Sequence, residues 1–414
     1  MNFVELANQR KPPSVVVAGH LCLDIIPRWD GAQREMHKAI TPGAMLNIGP
    51  ADLALGGAVL NTGIALHRLG ARTRLVGKVG DDPFGHLVRE LLDDIDPALH
   101  DGMVVARGEN TSYTIVISPP NTDRTFLHHS GANDRFGSAD IVPDQLAGAR
   151  LMHFGYPPLM RRIYSEGGRE LSHIFRLAKS MGLTTSLDMT QIDRRSDAAR
   201  VNWPALLATV LPHVDVFLPS IDEIRFMLGD ESTADAGACG EDLHRISSRL
   251  LEMGSAIIAL KLGDEGLYLR STPDRKRLAA MGGCAPPDWQ AWAGRQIIAP
   301  CFAVDVAGTT GAGDCTIAGF LGGLLRGLGP EETVTAAVAT GACCVEAADA
   351  TSGVPDWETL QRRINAGWRR KATGLLLPGW QWDASRTIGH GPVDGMHPTA
   401  TLSPETSSFQ TSGN

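Results

Sequence analysis

The sequence predicts an α/β protein: a doubly wound, mostly parallel sheet flanked by helices, with a small accessory β sheet. Three observations lead to this prediction. Short apolar runs alternate with amphipathic stretches over most of the chain, a rhythm typical of right-handed βαβ units. The early part of the chain is instead polar and rich in Pro and Gly, which favours a separate small sheet. A glycine-rich loop runs directly into an apolar stretch at about residue 313, as is typical of a helix N-terminus at the edge of such a sheet.

The first predicted elements are a strand, a helix and a second strand. The β-branched run at 15–18 predicts a buried strand. Residues 61–69 predict a helix, which Gly70 closes in a C-cap position, and residues 75–79 predict the next strand. Two alternating segments between 112 and 128 flank a turn of Pro, Asn, Thr and Asp, and they predict a hairpin.

From about residue 145 the pattern is strand and then helix, repeatedly. Helical stretches such as 168–181 and 242–253 separate the strands, and two long stretches rich in Ala, Gly and Leu follow Gly313. In sheets of this kind, ligands bind beyond the carboxyl ends of the strands. The strands predicted in this part of the chain are 151–154, 184–187, 214–218 and 256–260.

The predicted organisation is one main domain with two extensions. Residues 1–13 form an N-terminal extension. Residues 14–373 form the main domain, whose accessory sheet is drawn from about 27–50 and 110–130. Residues 374–414 form a C-terminal extension, which we expect to be at least partly disordered because its end has little apolar surface to bury.

The composition excludes several classes of partner. A formal net charge of -8 and the lack of a basic block argue against nucleic acid, whose phosphates need a basic face. The seven cysteines include no CxxC pair, which disfavours a disulfide framework or a structural zinc site and favours a reducing compartment. The N-terminus lacks the apolar stretch of a signal peptide, and the apolar runs are shorter than the roughly 20 residues of a membrane span. We therefore expect a cytoplasmic protein with no membrane partner.

The stretch most informative about chemistry is the loop 308–314, which reads GTTGAGD. Small residues before a helix let backbone N–H groups converge on an anion, and the helix dipole favours negative charge there. An aspartate at the same place repels a phosphate unless it has a chemical role. Accepting the proton of an attacking hydroxyl is such a role. For this loop alone, a plain helix N-terminus with an acidic first turn remains the alternative.

Two common nucleotide-binding signatures are absent from the sequence. It contains no GxxxxGK[ST], so a Walker-type loop is excluded, and the first predicted strand is followed by GHLCLD rather than GxGxxG. The second absence disfavours a dinucleotide-binding dehydrogenase. The histidines show no metal-ligand spacing such as HExxH, and we interpret His128, His129 and His153 as accessory-sheet or core residues.

The chain resembles the ribokinase-like (PfkB-type) carbohydrate kinases from about residue 15 to residue 355. Two separated signatures carry the resemblance, and their order along the chain makes the pair more specific than either alone. The matching residues are GGAVLN at 56–61, ALHRLG at 65–70, GKVGDDPFG at 77–85, TTGAGD at 309–314 and AGF at 318–320. The resemblance implies an ATP- and Mg²⁺-dependent phosphotransferase that acts on a hydroxyl of a sugar or sugar acid. It also implies a ribokinase-like fold, in which the accessory sheet is a β lid that closes over the acceptor.

The resemblance further implies roles for individual residues. Asp314 matches the catalytic base of the family. The anion hole matches Gly311, Ala312 and Gly313. The positions that contact the acceptor match Asp24, Gly56, Gly57 and Asn61, although a helix N-cap is an alternative for Asn61. The positions that contact the nucleotide match Ser220, Lys261, Gly263, Gly266 and Thr310, for some of which a simple strand-connecting turn is the alternative. Glu223 matches a member of the Mg²⁺ network.

Two departures from the family pattern affect the expected ligands. The family usually shows Asn-x-x-Glu near the magnesium and phosphates, and this chain has Ser220 and Glu223. Magnesium needs few protein ligands, so the departure concerns how the nucleotide is positioned. Many members also carry an Asp just before the Thr-Thr pair, where a monovalent cation binds, and this chain has Gly308 there. Potassium activation is therefore left open, as is a homodimer that pairs through the lid.

Two other functions remain open at the level of sequence. A nucleoside kinase of the same fold shares the catalytic residues, since scattered pocket side chains decide the acceptor. A catalytically silent protein that senses a sugar or nucleotide is the second alternative, because fold does not fix function. The aspartate beside an intact Gly-Ala-Gly argues against the silent protein, which has no need of a carboxylate at an anion site.

Overall fold

The computed structural model describes residues 14–28, 42–43, 45, 47–118, 125–230, 239–383 and 385–395. The predictions for residues 1–13 and 396–414 concern segments outside the described residues. The strands are β1 (Val15–Gly19), β2 (Cys22–Pro27), β3 (Ala51–Gly56), β4 (Thr73–Val76), β5 (Lys78–Gly80), β6 (Val104–Ala106), β7 (Tyr113–Ile117), β8 (Thr125–His129), β9 (Leu151–Gly155), β10 (Thr184–Leu187), β11 (Val216–Phe217), β12 (Ile257–Lys261), β13 (Leu267–Ser271), β14 (Gln296–Ala299), β15 (Gln381–Asp383) and β16 (Ile388–His390).

The α-helices lie mostly between strands of the main sheet, as the alternating pattern predicts. They are α1 (Ala58–Arg68), α2 (Pro83–Asp93), α3 (Pro143–Leu146), α4 (Arg161–Tyr164), α5 (Arg169–Ser180), α6 (Trp203–Val210), α7 (Ile221–Leu228), α8 (Gly240–Glu252), α9 (Arg275–Ala279), α10 (Trp289–Trp292), α11 (Ala312–Leu325), α12 (Pro330–Val345) and α13 (Trp357–Asn365). Within the described residues, no helix combines the length and apolar character that a membrane span requires.

The main sheet has ten strands in the order β15-β16-β14-β13-β12-β11-β10-β9-β1-β4. The part from β4 to β12 is parallel, and the part from β12 to β15 is antiparallel. After β1 the chain adds β4 on one side and later β9 on the other side. The carboxyl end of β1 is therefore a topological switch point, where open α/β sheets bind ligands. The predicted doubly wound, mostly parallel fold is confirmed.

Helices cover both faces of this sheet. Along β1, Val15 and Val17 face one buried apolar layer and Val16 and Ala18 face the other, as the period of a strand requires. Helices α1, α11, α12 and α13 supply the first layer, and α5 to α8 supply the second. Helices α11 and α12 pack closely at Gly319, which has no side chain. A Cβ there would lie only 2.6 Å from the carbonyl oxygen of Ala336.

The accessory sheet has the strand order β3-β2-β7-β8. Strands β7 and β8 form an antiparallel hairpin within the expected segment 110–130. The other expected segment, 27–50, is mostly the connection between two lid strands rather than a source of them, because β2 ends at Pro27 and β3 begins at Ala51. Residues 29–41, 44 and 46 of this connection lie outside the described residues.

Two further expectations about the fold need correction. The single strand expected at 75–79 is divided: β4 joins the main sheet, whereas β5 pairs with β6 in a separate two-stranded sheet. The boundary expected after residue 373 is also wrong, because β15 and β16 extend the main sheet through β14. Beyond them, the buried carboxylate of Asp394 accepts a hydrogen bond of 2.9 Å from Nε of the buried Arg295. A short segment with little apolar content can thus be held to the core by a buried ion pair. The composition of the segment gives no sign of this contact.

Candidate active site

Polar side chains collect at the carboxyl ends of five neighbouring parallel strands. His20 follows β1, Tyr156 follows β9 and Asp188 follows β10, while Ser220 lies beyond β11 and Lys261 ends β12. The parallel arrangement brings these ends to one edge of the sheet. Helix α11 adds Asp314 to the same edge, and the lid adds Asp24 from β2.

Asp314 is at the centre of this cluster. It is the third residue of α11 and only 2% exposed. Asn61 of α1 donates a hydrogen bond of 2.9 Å to Oδ2, and the Tyr156 hydroxyl lies 2.9 Å from both carboxylate oxygens. Thr62 Oγ1 lies 3.4 Å from Oδ1. The carboxylate is thus fixed from two directions, by α1 and by the residue after β9.

The electrostatics of Asp314 suit a proton acceptor. Burial raises the pKa of its carboxyl group above the ordinary value, and hydrogen bonds from Asn61 and Tyr156 together with the charge of Lys261 limit the rise. A general base works best when its pKa lies near the working pH. A buried carboxylate with a raised pKa meets this condition better than an exposed one.

The N-terminus of α11 provides the expected anion site next to this carboxylate. Gly311 is the N-cap residue and has a φ of 75°, a conformation that favours glycine. Ala312 and Gly313 are the first two residues of the helix, where backbone N–H groups have no partner within the helix. The dipole of the long helix α11 also places partial positive charge at this N-terminus. These features fit the phosphates of a nucleotide.

Lys261 lies against the start of α11. Its Nζ donates a hydrogen bond of 2.6 Å to Oδ1 of the buried Asp188. A Cβ at Gly313 would lie 3.6 Å from Cδ and 3.8 Å from Nζ of Lys261, so the lysine lies alongside the expected anion hole. Burial opposes the charge on Lys261, but the charges of Asp188 and Glu223 hold its pKa above the ordinary value. A protonated lysine therefore accompanies the helix N-terminus.

Ser220 and Glu223 begin α7 in a capping box. Ser220 N donates to Glu223 Oε2 at 2.7 Å, and Glu223 N donates to Ser220 Oγ at 3.2 Å. The serine that stands in place of the family asparagine is thus used by the helix itself. Both residues border a cavity of about 330 Å³. Oδ2 of Asp188 is buried and has no hydrogen-bond partner among the described residues. Carboxylate oxygens of this kind fit a Mg²⁺ ion with its bound waters.

Asp24 places a second, partly buried carboxylate on the side of the accessory sheet. Cys22 Sγ lies 3.3 Å from its Oδ1, and burial raises its pKa from 3.8 to about 6. Gly56 of β3, which pairs with Cys22, leaves room for this carboxylate, since a Cβ there would overlap Asp24. Gly57 is the N-cap of α1 with a φ of 85°, and a Cβ there would lie 2.7 Å from His20 Nδ1. Gly56 thus makes space for Asp24 inside the accessory sheet, and Gly57 lets the start of α1 approach the segment after β1.

Several buried polar atoms beside these residues lack partners in the described part of the chain. They are both ring nitrogens of His20, Oδ1 of Asn61 and Nε2 of His153. Asn61 is the fourth residue of α1, whose N-cap is Gly57, so the N-cap alternative for Asn61 is wrong. Burial lowers the pKa of His20 well below its ordinary value, which leaves the ring uncharged. Buried polar atoms normally have partners. We therefore expect these atoms to form hydrogen bonds with a bound ligand or with water molecules.

The remaining nucleotide-side residues are less closely tied to Asp314. Gly263 and Gly266 lie in the turn between β12 and β13 with φ values of 61° and 109°. This turn is held by Thr373, whose hydroxyl donates to Glu265 Oε2 at 2.7 Å. The Thr310 carbonyl accepts from Cys344 Sγ at 3.4 Å, which fixes the loop before α11. Their roles toward a nucleotide stay predictions.

Three residues of the site were missed or undervalued in the sequence. The link of Tyr156 to Asp314 joins residues 158 positions apart, which no local pattern predicts. Asp188 directly follows a predicted strand, so a polar residue at a strand end was a usable signal. His20 also follows a strand, but the burial of its ring depends on the lid.

The chain matches a model of the pfkB family carbohydrate kinases over residues 13–357. An uncharacterised sugar kinase from Archaeoglobus fulgidus is 27% identical over 70% of this chain and 98% of that protein. Fructokinase-2 from Solanum habrochaites is 24% identical over 78% of this chain and 84% of its own length. A 2-dehydro-3-deoxygluconokinase from Bacillus subtilis is 24% identical over 81% and 94%.

Solved structures show the same fold at lower identity. A ribokinase from Arabidopsis thaliana, in complex with ribose and ATP, aligns with a TM-score of 0.64 and 20% identity over 85% of this chain and 98% of that chain. A candidate ribokinase II from E. coli, in complex with ATP and Mg²⁺, aligns with a TM-score of 0.61 and 17% identity over 86% of this chain and 99% of that chain.

Proposed function

The chain belongs to the pfkB family of carbohydrate kinases, which are phosphotransferases that act on hydroxyl groups, and on this premise we propose a specific reaction for it. The protein transfers the γ-phosphoryl group of ATP to a hydroxyl of an uncharged sugar, with Asp314 as the general base. The observation that carries this proposal is the buried Asp314 carboxylate on the first turn of α11, beside the glycine-rich N-terminus that suits phosphates. A buried carboxylate with a raised pKa beside such a site is a candidate for a chemical role.

The proposed reaction is an in-line displacement. The sugar hydroxyl oxygen forms a bond to the γ-phosphorus while the bond from that phosphorus to the bridging oxygen of ADP breaks. The hydroxyl proton passes to Asp314, and ADP leaves. We expect the first-turn N–H groups of α11 and the Lys261 ammonium to stabilise charge on the transferred group. Asn61 and Tyr156 keep the carboxylate in position.

Magnesium and ATP are the ligands that this arrangement fits. Mg²⁺ neutralises charge on the phosphates when it is bound. Glu223 and the unpartnered Oδ2 of Asp188 are the oxygens that we expect to face the ion or its waters. Ser220, Thr310 and the turn with Gly263 and Gly266 are proposed to contact the nucleotide.

The charges around the acceptor position favour an uncharged sugar over a sugar acid. The relatives include both a fructokinase and a 2-dehydro-3-deoxygluconokinase, so both acceptor classes come into question. Asp24 and Asp314 are carboxylates, and His20 stays uncharged. Among the described residues, Lys261 is the cation whose charge acts on Asp314, and it is already bound to Asp188. An acidic acceptor would add a negative charge that these residues leave unpaired.

A homodimer through the lid also remains a proposal. Leu53, Phe126 and Leu127 of the accessory sheet are 47%, 56% and 52% exposed. They lie on the two edge strands, β3 and β8, so exposed apolar side chains at the edges of the sheet support an interaction surface there. The sheet would then be shared between two copies of the chain.

The test of the function combines an acceptor screen with Asp314→Asn. We expect ADP release from ATP with uncharged pentoses or hexoses, and less with sugar acids; nucleosides as the preferred acceptors would indicate a nucleoside kinase instead. General-base catalysis contributes about 10²–10⁴-fold, so Asp314→Asn should lower kcat by that order. Nucleotide affinity, measured by calorimetry, should be kept or increased because a negative charge near the phosphates is removed.

The matched control is Asp144→Asn, an exposed carboxylate at the start of α3. It should behave like the unmodified protein in both measurements. Unchanged turnover of Asp314→Asn would refute its role as the base. Joint loss of nucleotide binding and of thermal stability would instead support a purely structural role at the start of α11.

A further inference from the structure

Tyr156 has an unusual backbone conformation at the edge of the main sheet. Its φ is 61° and its ψ is 45°, in the left-handed region that residues with a Cβ rarely adopt. Among the described residues, only Glu166 and Thr387 are other non-glycine residues with a positive φ. Such a conformation costs of order 1–3 kcal/mol and persists where the surroundings enforce it. The residue follows β9 directly, at the end of the sheet where the site lies.

The side chain that this backbone directs into the site ends on the proposed base. The Tyr156 hydroxyl lies 2.9 Å from Oδ1 and 2.9 Å from Oδ2 of Asp314. An atom at equal distances from both oxygens lies on the plane that bisects the carboxylate. The hydroxyl is therefore shared between the two oxygens, whereas Asn61 bonds to Oδ2 alone. The phenolic hydroxyl of the protein thus already makes the contact that an acceptor hydroxyl must make in order to lose its proton.

We propose that Tyr156 is a positioning residue whose hydroxyl holds the Asp314 carboxylate and shields it from water until an acceptor hydroxyl replaces that contact. The proposal rests on the proposed function, because it assigns a second role at the same site. Water that reached the free carboxylate could attack the γ-phosphorus in place of the sugar. Its proton would then pass to Asp314, and ADP and phosphate would leave. The Tyr156 phenol oxygen contacts both carboxylate oxygens of Asp314 and therefore occupies the position that such a water molecule would need.

The phenol suits this role because it stays protonated. Burial and the charge of Asp314 raise the pKa of Tyr156 well above its ordinary value, so the hydroxyl remains a donor across the neutral range. The ring also lies 6.1 Å from the ring of His20, which in turn lies 5.1 Å from the ring of His128 on lid strand β8. Tyr156 is therefore placed between the base and the lid, where an arriving acceptor would meet it.

The charge of Asp314 is set by groups from several elements, and the test must separate Tyr156 from them. Lys261 favours the charged carboxylate, whereas the charge of Glu223 disfavours it. The other titratable groups that interact with Asp314 electrostatically are Asp188 after β10, Cys22 of β2 and Cys315 of α11. Substitution of Tyr156 leaves all of these in place.

The experiment is Tyr156→Phe, which keeps the ring and removes the donor. The acid limb of kcat/KM against pH should move to higher pH by about one unit, because the lost hydrogen bond favoured the charged carboxylate. ADP release in the absence of any acceptor, relative to turnover with the acceptor, should rise roughly tenfold. The matched control is Tyr164→Phe, whose ring lies 6.5 Å from that of Trp203 and which should change neither value.

A second variant, Tyr156→Asn, covers the case in which phenylalanine disturbs the strained backbone, because asparagine tolerates a positive φ. It should show the same two changes. An acid limb and an acceptor-free rate that both stay as in the unmodified protein, in a variant that folds, would overturn the proposal. If the unmodified protein itself turned over no acceptor, the proposed function would fail instead, so the two failures are distinguishable.

Discussion

Replacing Asp24 by asparagine should stabilise the protein and weaken acceptor binding at the same time. Burial of Asp24 raises its pKa from 3.8 to about 6, which means that the folded state disfavours its charge. Asparagine removes the charge and keeps the oxygen that accepts from Cys22 Sγ at 3.3 Å. The lid sheet should then fold without a buried carboxylate, while a sugar loses a strong hydrogen-bond acceptor.

The magnitude follows from the difference between the folded and unfolded pKa values. The folded protein binds the proton more tightly, so the free energy of unfolding falls as pH rises from about 4 to about 6 and is then constant. The rise of the pKa from 3.8 to about 6 corresponds to a destabilisation of about 3 kcal/mol at neutral pH. For a chain of 414 residues, the unfolding entropy makes this a rise in Tm of about 3–4 °C for Asp24→Asn.

The assay is thermal unfolding of both proteins at pH 5 and pH 8, together with the acceptor KM at pH 8. The stabilisation at pH 5 should be about half of that at pH 8. At pH 5 the Asp24 carboxylate of the folded protein is only partly ionised, so its destabilising effect is smaller. The acceptor KM should rise by about tenfold or more. Asp52→Asn on the neighbouring β3 is the control; its carboxylate is exposed and paired with Arg28, so it should bring no stabilisation. A lower Tm for Asp24→Asn at pH 8 would refute the reasoning.

Two further predictions concern other buried or capped carboxylates. Glu223→Gln should keep the capping box, because glutamine can also accept from the N-cap N–H, while the Mg²⁺ concentration for half-maximal turnover should rise by about tenfold; an unchanged Mg²⁺ titration would remove Glu223 from the metal network. Asp394→Ala should lower the free energy of unfolding by about 2 kcal/mol in a urea titration, because Arg295 and the Gln296 N–H lose a buried partner while Glu331 still pairs with the guanidinium. The partly exposed Asp383→Ala on β15 should change it little, and equal effects of the two would argue against the buried ion pair.

The sequence predicted the parts of the fold that depend on local pattern. The mostly apolar runs 151–154 and 256–260 became β9 and β12 within one residue of the expected bounds, because strands buried on both faces need nearly continuous apolar residues. The strand expected at 75–79 was wrong because Gly77 divides it; a Cβ there would overlap the side chain of Leu21. The docking of 381–390 on β14 could not be predicted either, since it depends on pairing between residues far apart in the chain.

The candidate site shows the same division. Gly311 and Asp314 were found because a small-residue loop before a helix has a local signature. Gly56 was named only through the family resemblance, whereas its physical reason is the space taken by the Asp24 carboxylate across the lid sheet. The contacts of Tyr156 and Asp188 join separate strand ends to α11 and β12. A single sequence carries no signal for such pairs, because each partner alone is an ordinary residue after a strand.

The unpartnered atoms of the candidate site connect its stability to the proposed choice of acceptor. Both ring nitrogens of His20 and Oδ1 of Asn61 are buried without partners among the described residues, and such atoms destabilise a fold until something binds them. An uncharged imidazole has one donor and one acceptor nitrogen, whereas a hydroxyl can act as either. Sugar hydroxyls can therefore satisfy both nitrogens in either tautomer, but a carboxylate can only accept. Its negative charge would also face Asp24 and Asp314. The hydrogen-bonding needs of the pocket and its charge thus favour the same ligand, an uncharged molecule rich in hydroxyl groups.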